Sequence, residues 1–149
     1  MRSRPLFVMR LDVKPLQVIG ATPAAYRRIG VVPGGVFEGE RLAGVVLDGA
    51  SDWQTVRSDG ATTLDVRLVL ETNDDALISM MYGGVRHGHP DVIAKLERGE
   101  TVDAASYYFR TNPLFETAST KYDWLNRVVA VGVGHRSADG PVYSIFEVL

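Results

Sequence analysis

The chain has 149 residues, 46% of them hydrophobic and 23% charged, which is typical of one globular domain with a buried core. Its 16 lysines and arginines are scattered and slightly outnumbered by 18 acidic residues, so no nucleic-acid partner is expected at a net charge of −2. The lack of cysteine excludes disulfides, thiolate nucleophiles and cysteine-ligated zinc, and it fits a reducing, cytoplasmic setting.

The N-terminal segment MRSRPLFVMRLDV begins basic and turns apolar, but Arg10 and Asp12 interrupt the apolar run within a few residues. A signal peptide needs an uninterrupted apolar region, so we expect none here. No stretch approaches the ~18 apolar residues that a membrane-spanning helix requires. We therefore expect an intracellular protein without a membrane partner.

Short runs rich in Val, Ile, Leu, Tyr and Phe follow one another, separated by glycine-containing turns. This pattern is typical of an all-β sandwich or barrel. The segments SDG at 58–60 and ADG at 138–140 predict hairpin turns, because Asp-Gly accepts positive φ. The predicted strands cover residues 6–13, 16–20, 25–37, 41–47, 62–71, 76–86, 104–111, 114–118, 124–134 and 141–148.

One helix is predicted near residues 90–98, in HPDVIAKLERGE. Pro90 suits the first helical turn, Asp91 suits the positive end of the helix dipole, and Gly99 suits the stop. Many antiparallel strands with one short helix favour closure into a barrel, because closure removes exposed sheet edges. No linker or change of composition divides the chain, so residues 1–149 are predicted to form a single antiparallel β-barrel domain.

Alternation along LDVRLVLE at residues 64–71 separates two faces of one strand. Leu64, Val66, Leu68 and Leu70 share an apolar face, whereas Asp65 and Arg67 share the other. Two interpretations of that second face are open. It is either a solvated surface bearing a weak ion pair, or the polar lumen of a barrel, where a desolvated Asp/Arg pair orients a ligand.

The segment YYFRTNPLFETASTKYDWLNR at residues 107–127 repeats this pattern with more aromatic and hydrogen-bonding groups. Tyr108 and Arg110 share one strand face, and Trp124 and Asn126 share a face with the small residues Ala130 and Gly132. Small residues on a lumen face leave room for a ligand, or equally for a bulky neighbouring side chain.

This segment resembles the small bacterial and fungal barrels called domain of unknown function 3237, or uncharacterised protein family 0311. The segments IGATPAAYRRIGVVPGG and VGVGHRSADGPVYSIFEVL extend the resemblance over nearly the whole chain. It implies a calycin-like antiparallel β-barrel that often forms dimers, and no particular activity. This chain departs from the family at Asp74-Asp75-Ala76, where Asp-Gly-Ala is common. The matching motif residues are Asp52, Trp53, Asp59, Asp65, Arg67, Tyr82, Arg110, Pro113, Glu116, Tyr122, Trp124 and Asn126.

Several chemistries find little support in the residues. His87, His89 and Asp91 lie close together in sequence, but a solvated loop explains them as well, and no metal site is predicted. No Gly-x-Ser-x-Gly elbow of a serine hydrolase is present. GVVPGG and VGVGHR lack the following helix of a dinucleotide site, and no cofactor is predicted.

Acid–base chemistry on a small aromatic, carbonyl or carboxylate compound remains. The predicted function is a small-molecule-binding barrel acting as a cofactor-free lyase, isomerase or cyclase. Asp65 and Glu116 are the preferred bases, Arg67 and Arg110 the anion holders, and Tyr108 the hydrogen-bond donor. The other predicted ligand contacts are Asp52, also a candidate base, Trp53, Tyr82, Tyr122, Trp124 as a stacking surface, and Asn126.

Three alternatives stay open. The same residues lock the barrel structurally, with Arg110 paired to Glu116 and Asp52 capping a turn. A lipocalin-like barrel binds an apolar ligand without catalysis. An interaction module uses its aromatic loops to form a homodimer. An interior filled by aliphatic side chains, with Asp65 and Arg110 in bulk water, would exclude a receptive interior.

Overall fold

The computed structural model describes residues 1–149 as one antiparallel sheet of twelve strands with a single α-helix, α1, at Pro90–Glu97. Short 3-10 helices lie at Ala104–Ser106 and Asp123–Arg127. No helix is long and apolar enough to span a bilayer. The strands are β1 (Ser3–Asp12), β2 (Gln17–Ala21), β3 (Tyr26–Val32), β4 (Gly34–Glu38), β5 (Ala43–Val46), β6 (Ala50–Val56), β7 (Thr62–Thr72), β8 (Leu77–Gly88), β9 (Tyr107–Thr111), β10 (Leu114–Glu116), β11 (Ala130–Ser137) and β12 (Gly140–Val148).

The sheet closes on itself because β7 and β8 also pair with each other. The ring runs β8, β9, β11, β12, β1, β4, β5, β7 and back to β8. Its antiparallel β-barrel class and single short helix are as predicted. Closure leaves no free edge around this ring, which explains how many short strands form one stable core.

Strand β7 is long enough to pair with two different neighbours on one side. Its second half pairs with β5, as in Val46 opposite Leu70, whereas its first half pairs with β6, as in Ser51 opposite Arg67. Strands β3 and β2 continue outward from β6. The backbone N–H of Lys14 donates to the carbonyl of Val31 at 2.9 Å, which links β3 to the segment after β1. Strands β6 and β3 thus form the wall at one end of the barrel.

The apolar faces of the strands point into the barrel. On β7, Leu64, Val66, Leu68 and Leu70 are buried, whereas Asp65 and Arg67 are exposed. Phe7 packs edge-on against Phe37 and Phe115, with ring centroids 5.3 and 6.0 Å away, and fills the interior far from β6. Burial of these side chains is the main stabilising contribution, at roughly 1.5–3 kcal/mol for each large residue.

The small residues of β11 admit bulky neighbours rather than a ligand. A Cβ on Gly134 would lie 2.8 Å from the ring of Phe109, and one on Gly132 would meet Thr111 directly. Of the two interpretations left open by the sequence, the structure supports close side-chain packing here.

Local features agree with most of the sequence predictions and correct four of them. Residues 25–37 are two strands rather than one, residues 104–106 and residues 124–127 are 3-10 helix, and β6 is a strand that the sequence did not predict. The helix is capped by His89, whose Nδ1 accepts from the backbone N–H of Asp91 at 3.2 Å. Asp75 has φ of 68°, the left-handed conformation that glycine adopts readily.

Candidate functional site

A cluster of polar side chains lies at the end of the barrel walled by β6 and β3. Asp52 and Gln54 on β6, Tyr82 and Arg86 on β8, and Tyr143 on β12 are all buried there. Each of these side chains lies at an inward-facing position of its strand, because every second side chain of a strand points into the barrel. Three strands that are not neighbours in the sheet, β6, β8 and β12, thus bring a carboxyl, a guanidinium and two phenols together across the barrel interior.

These side chains surround a cavity that opens to solvent on one side. The room for water-sized molecules is ≈ 60 Å³, and the whole hollow with its open mouth is ≈ 550 Å³. Leu64 and Phe109 form part of an apolar wall, and exposed Lys14 and Leu16 lie at the mouth. A hollow with apolar walls and a few convergent polar groups is the usual form of a small-molecule site.

Asp52 is the only carboxyl that lines this cavity. Its Oδ2 accepts a hydrogen bond from Gln54 Nε2 at 2.8 Å, and its Oδ1 accepts from the backbone N–H of Asp65 at 3.3 Å. Burial raises the pKa of Asp52 from 3.8 to about 6, although these hydrogen bonds and the charges of Arg86 and Arg28 oppose the rise. The carboxyl therefore exchanges its proton near neutral pH.

A hydrogen-bond network behind Asp52, buried at Arg28 and Gln54 and exposed at Glu97, fixes its hydrogen-bond donor. Arg28 Nε donates to Gln54 Oε1 at 2.7 Å, and its Nη1 and Nη2 donate to Glu97 Oε2 and Oε1 at 2.8 and 2.9 Å. The Gln54 amide therefore presents its oxygen to Arg28 and its N–H to Asp52. Burial alone would raise the pKa of Glu97, but the hydrogen bond and charge of Arg28 outweigh it and lower that pKa.

The two tyrosines stay protonated at neutral pH. Their rings lie 5.4 Å apart between centroids. Burial and the nearby Asp52 raise the pKa of Tyr143 to about 12, and burial with the proximity of Tyr143 raises the pKa of Tyr82 well above 10.0. The Tyr82 hydroxyl lies close enough to Tyr143 for a weak interaction between the two hydroxyls, but it makes no hydrogen bond of good geometry with any protein atom.

The Arg86 side chain is only 4% exposed and makes no hydrogen bond to the protein, whereas the Arg86 backbone pairs with β7 and β9. Its closest carboxylate oxygen is Glu97 Oε1, 3.6 Å from Nη2, and its guanidinium lies 5.6 Å from the centroid of Phe109. Burial and the charge of Arg136 lower the pKa of Arg86. Its N–H groups border the cavity, where a ligand can reach them.

The five residues predicted to be catalytic lie elsewhere. Asp65, Arg67, Tyr108, Arg110 and Glu116 are all exposed on the outer face of the barrel. Their expected placement in the lumen is wrong, because the apolar faces of β7 and β9 fill the interior and the opposite faces point outward. Arg110 donates to the carbonyl of Phe109 at 2.9 Å and lies over the ring of Tyr108, and no ion pair joins it to Glu116.

The structure divides the six predicted ligand contacts. Asp52 and Tyr82 line the cavity together. Trp53 is 59% exposed on the outer face. Tyr122 donates to Asp74 Oδ1 at 2.8 Å, Asn126 Oδ1 accepts from the backbone N–H of Thr117 at 2.8 Å, and Trp124 packs beneath Arg41. These last three contacts stabilise the loop after β10 rather than face the cavity.

Sequence reasoning missed Gln54, Arg86, Arg136 and Tyr143. The alternation that placed Leu64 and Leu70 together also places Arg86 in register with Ile78, Met80 and Tyr82, so strand parity is a signal for Arg86. Gln54 required recognition of β6 as a strand. No group of three or more His, Cys, Asp or Glu side chains is arranged to hold a metal ion.

Fold and cavity together define a closed antiparallel β-barrel with one polar, solvent-accessible end. The family model described as "Protein of unknown function (DUF3237)" matches residues 1–148. A UPF0311 protein of Rhodopseudomonas palustris is 33% identical over 149 residues, which cover 100% of this chain and 97% of that protein. The chain belongs to the DUF3237 family, and its predicted resemblance to that family is confirmed.

Solved structures of similar proteins have the same fold. The crystal structure of the Rhodopseudomonas palustris protein superposes with a TM-score of 0.95 at 33% identity, covering 99% of this chain and 97% of that one. A "beta-barrel like protein" of Acinetobacter baumannii has a TM-score of 0.84 at 39% identity, covering 98% and 94%. A more distant relative is the "hydroalkoxylation enzyme phnH" of Penicillium herquei, 28% identical over 127 residues, 85% of this chain and 70% of that protein.

Proposed function

We propose that the barrel binds a small molecule in its polar end and acts on it by cofactor-independent acid–base catalysis, with Asp52 as the proton-transferring group. The observation that carries the proposal is a buried carboxyl with a pKa of about 6, facing a cavity beside two protonated tyrosines. Groups with pKa values displaced toward neutrality by burial concentrate at catalytic sites.

The reaction class that we propose is addition of a hydroxyl group across a carbon–carbon double bond, or its reversal. The distant similarity to a hydroalkoxylation enzyme supports this class. In such an addition a C–O bond and a C–H bond form, while an O–H bond and the π bond break. Ionised Asp52 takes the hydroxyl proton and returns it to the alkene carbon, so the reaction needs no oxidant, reductant or other co-reactant.

The size of the cavity decides how a substrate lies. With ≈ 60 Å³ of room for water-sized molecules, the cavity holds the reacting group and little more. The remainder of the substrate then lies in the open mouth, beside Leu16 and Lys14. Apolar contact with Leu64 and Phe109 suits a planar, partly aromatic compound.

A matched pair of variants tests the proposal. The probe is ortho-allylphenol, and the product is its isomeric cyclic ether, followed by chromatography. We expect Asp52→Asn to lower the rate by about 10²–10⁴-fold, because general acid–base groups contribute that much, and Asp65→Asn to change it less than about twofold. Thermal unfolding of both variants controls for folding. Equal rates for wild type and Asp52→Asn would contradict the assignment.

A non-catalytic binding barrel is the second candidate, and the apolar wall at Leu64 and Phe109 favours it. Under this alternative a bound compound is recovered chemically unchanged after long incubation. The cytoplasmic setting expected from the sequence stays a prediction.

A homodimer is also proposed, as the family resemblance implies. Support comes from β2, an edge strand that pairs only with β3 and exposes Val18 and Ile19. An edge of this kind can pair with a second chain. Sedimentation at micromolar concentration should show a dimer that Ile19→Lys converts to monomer, and a monomeric wild type would contradict it.

A further inference from the structure

The cavity carries more positive than negative charge. Lys14, Arg86 and Arg136 line it, and Asp52 is the only acid among the lining residues. Arg28 and Glu97 lie behind it and compensate each other through two short hydrogen bonds. Neither Lys14 nor Arg136 forms an ion pair. An excess of positive charge therefore faces whatever occupies the cavity.

The Arg86 guanidinium lacks a hydrogen-bond acceptor in the protein. Both oxygens of Glu97 already accept from Arg28, and the 3.6 Å approach of Arg86 to Glu97 is too long for a hydrogen bond. A guanidinium has five N–H donors, and a buried charge without hydrogen bonds is costly. Burial of Arg86 at 4% exposure thus leaves donors directed at the cavity with no protein acceptor.

Tyr82 presents a second donor at the same place. Its hydroxyl is buried, borders the cavity and interacts only weakly with Tyr143, without a hydrogen bond of good geometry. A cation and a neutral donor that both lack a well-placed acceptor form a site for an oxygen anion, in the manner of an oxyanion hole.

We propose that the substrate carries an acidic oxygen conjugated to a planar system, and that its anion binds between Arg86 and Tyr82, with Arg136 at the mouth. The inference rests on the proposed function, since it names the substrate class of the same cavity. A phenol or enol fits the proposed addition directly, because its proton passes to Asp52 and the oxygen left behind is the nucleophile. A carboxylate is the other source of the same anion chemistry.

Two probes distinguish these sources. Para-nitrophenol reports its own ionisation, since its phenolate absorbs at longer wavelength than the neutral phenol, and benzoate with its neutral analogue benzamide reports carboxylate binding. We expect wild type to raise the phenolate fraction at slightly acidic pH and to bind phenolate at least about tenfold more tightly than phenol. Benzoate binding stronger than phenolate binding would identify a carboxylate substrate, whereas the reverse would identify a phenol or enol.

Variants locate the anion. Arg86→Met should weaken phenolate binding by at least about tenfold, the effect of losing one charge-assisted hydrogen bond or more. Arg136→Met should weaken it less, by about threefold, because Arg136 is only half-buried at the mouth. Arg110→Met is the matched control on the outer face of β9 and should leave binding within about twofold. If Arg86→Met does not fold, Arg136→Met and the ligand comparison decide the outcome.

Three results would overturn the inference: no preference for the anion over the neutral probe, no binding of either anion at millimolar concentration, or equal losses in Arg86→Met and Arg110→Met. These binding measurements do not depend on whether the protein catalyses a reaction. Asp52→Asn removes a negative charge from the cavity and should tighten phenolate binding, even though it is expected to be inactive. An active Asp52→Asn variant with intact anion preference would reject the proposed catalysis alone.

Discussion

The inner and outer faces of the barrel wall carry the same residue types with different surroundings. Asp65 and Arg67 on β7 point into solvent, whereas Asp52 on β6 and Arg86 on β8 are almost fully buried. Exposed ion pairs contribute about 0–1 kcal/mol, and water screens them. Burial displaces the pKa of the inner carboxyl to about 6 and leaves the inner guanidinium without a hydrogen bond. The surroundings, rather than the residue type, therefore give the Asp52 carboxyl and the Arg86 guanidinium their capacity for chemistry.

The largest difference between the faces should be seen in adjacent residues of β9. Phe109 is buried inside, and Tyr108 is exposed outside. Phe109→Ala should lower the free energy of unfolding by about 3–5 kcal/mol, because it leaves a cavity beside Tyr143 and Gly134. Tyr108→Ala should cost less than about 1 kcal/mol. Urea unfolding measures both, and similar losses would contradict the assignment of the two faces.

The pH dependence of stability should separate Asp52 from Asp65. Because the folded-state pKa of Asp52, about 6, lies above its ordinary value of 3.8, the folded protein binds more protons than the unfolded chain between these pH values. Stability from this group is therefore fully present below pH 3.8 and is lost as the pH rises to about 6, by up to about 3 kcal/mol.

Urea unfolding at a series of pH values measures this slope. Asp52→Asn should flatten it, whereas Asp65→Asn should leave it in place. A wild-type protein whose stability rises steadily through the same interval, with no difference between the two variants, would show that Asp52 is not the group responsible.

Adjacent arginines on β3 offer the next comparison. Arg28 is buried and bonded to Gln54 and Glu97, whereas exposed Arg27 donates only to Thr55 at 2.9 Å. Arg28→Met should destabilise by about 2–3 kcal/mol, since it leaves a buried amide oxygen and a carboxylate without a donor. Arg27→Met should remain within about 0.5 kcal/mol. Thermal unfolding at neutral pH distinguishes the two, and equal changes would argue against a buried network.

The smallest effect lies in the turn between β7 and β8. Asp75 has φ of 68°, and glycine adopts this conformation without steric cost. Asp75→Gly should raise the free energy of unfolding by roughly 0.5 kcal/mol, the net of relieved strain and greater freedom of the unfolded chain. A clear loss of stability would mean that the Asp75 side chain contributes more than its backbone costs.

The barrel was predictable from strand-length apolar runs and glycine turns, but the occupants of its interior were not. Parity correctly separated Leu64 and Leu70 from Asp65 and Arg67, yet parity alone does not say which face points inward. A barrel of this size fills its interior with side chains, so the apolar face took the inside. The polar cavity lies where the wall changes neighbours, at β6.

The failure to predict strand β6 accounts for the omission of Gln54 and for the unforeseen burial of Asp52. The run ASDWQTV contains few β-branched residues and two turn-forming ones, so β6 gave no strand signal and Asp52 was interpreted as a possible turn cap. Arg86 is the last residue of the predicted strand 76–86, and the two glycines of YGGVRHG weaken the apolar alternation that assigns its face. The pairing of β6 with β7, a contact distant in sequence, is what buries Asp52, and local pattern carries no information about it.

The amide of Gln54 joins the Asp52 carboxyl to the Arg28 guanidinium, and all three side chains lie on the same face of the wall formed by β3 and β6. Because its oxygen must receive from Arg28 while its N–H gives to Asp52, only one orientation of the group satisfies both ends. Loss of Glu97 from the helix would therefore be transmitted through two side chains to the interior carboxyl. A substitution on the surface helix α1 should thus change the hydrogen bonding of the buried Asp52 carboxyl.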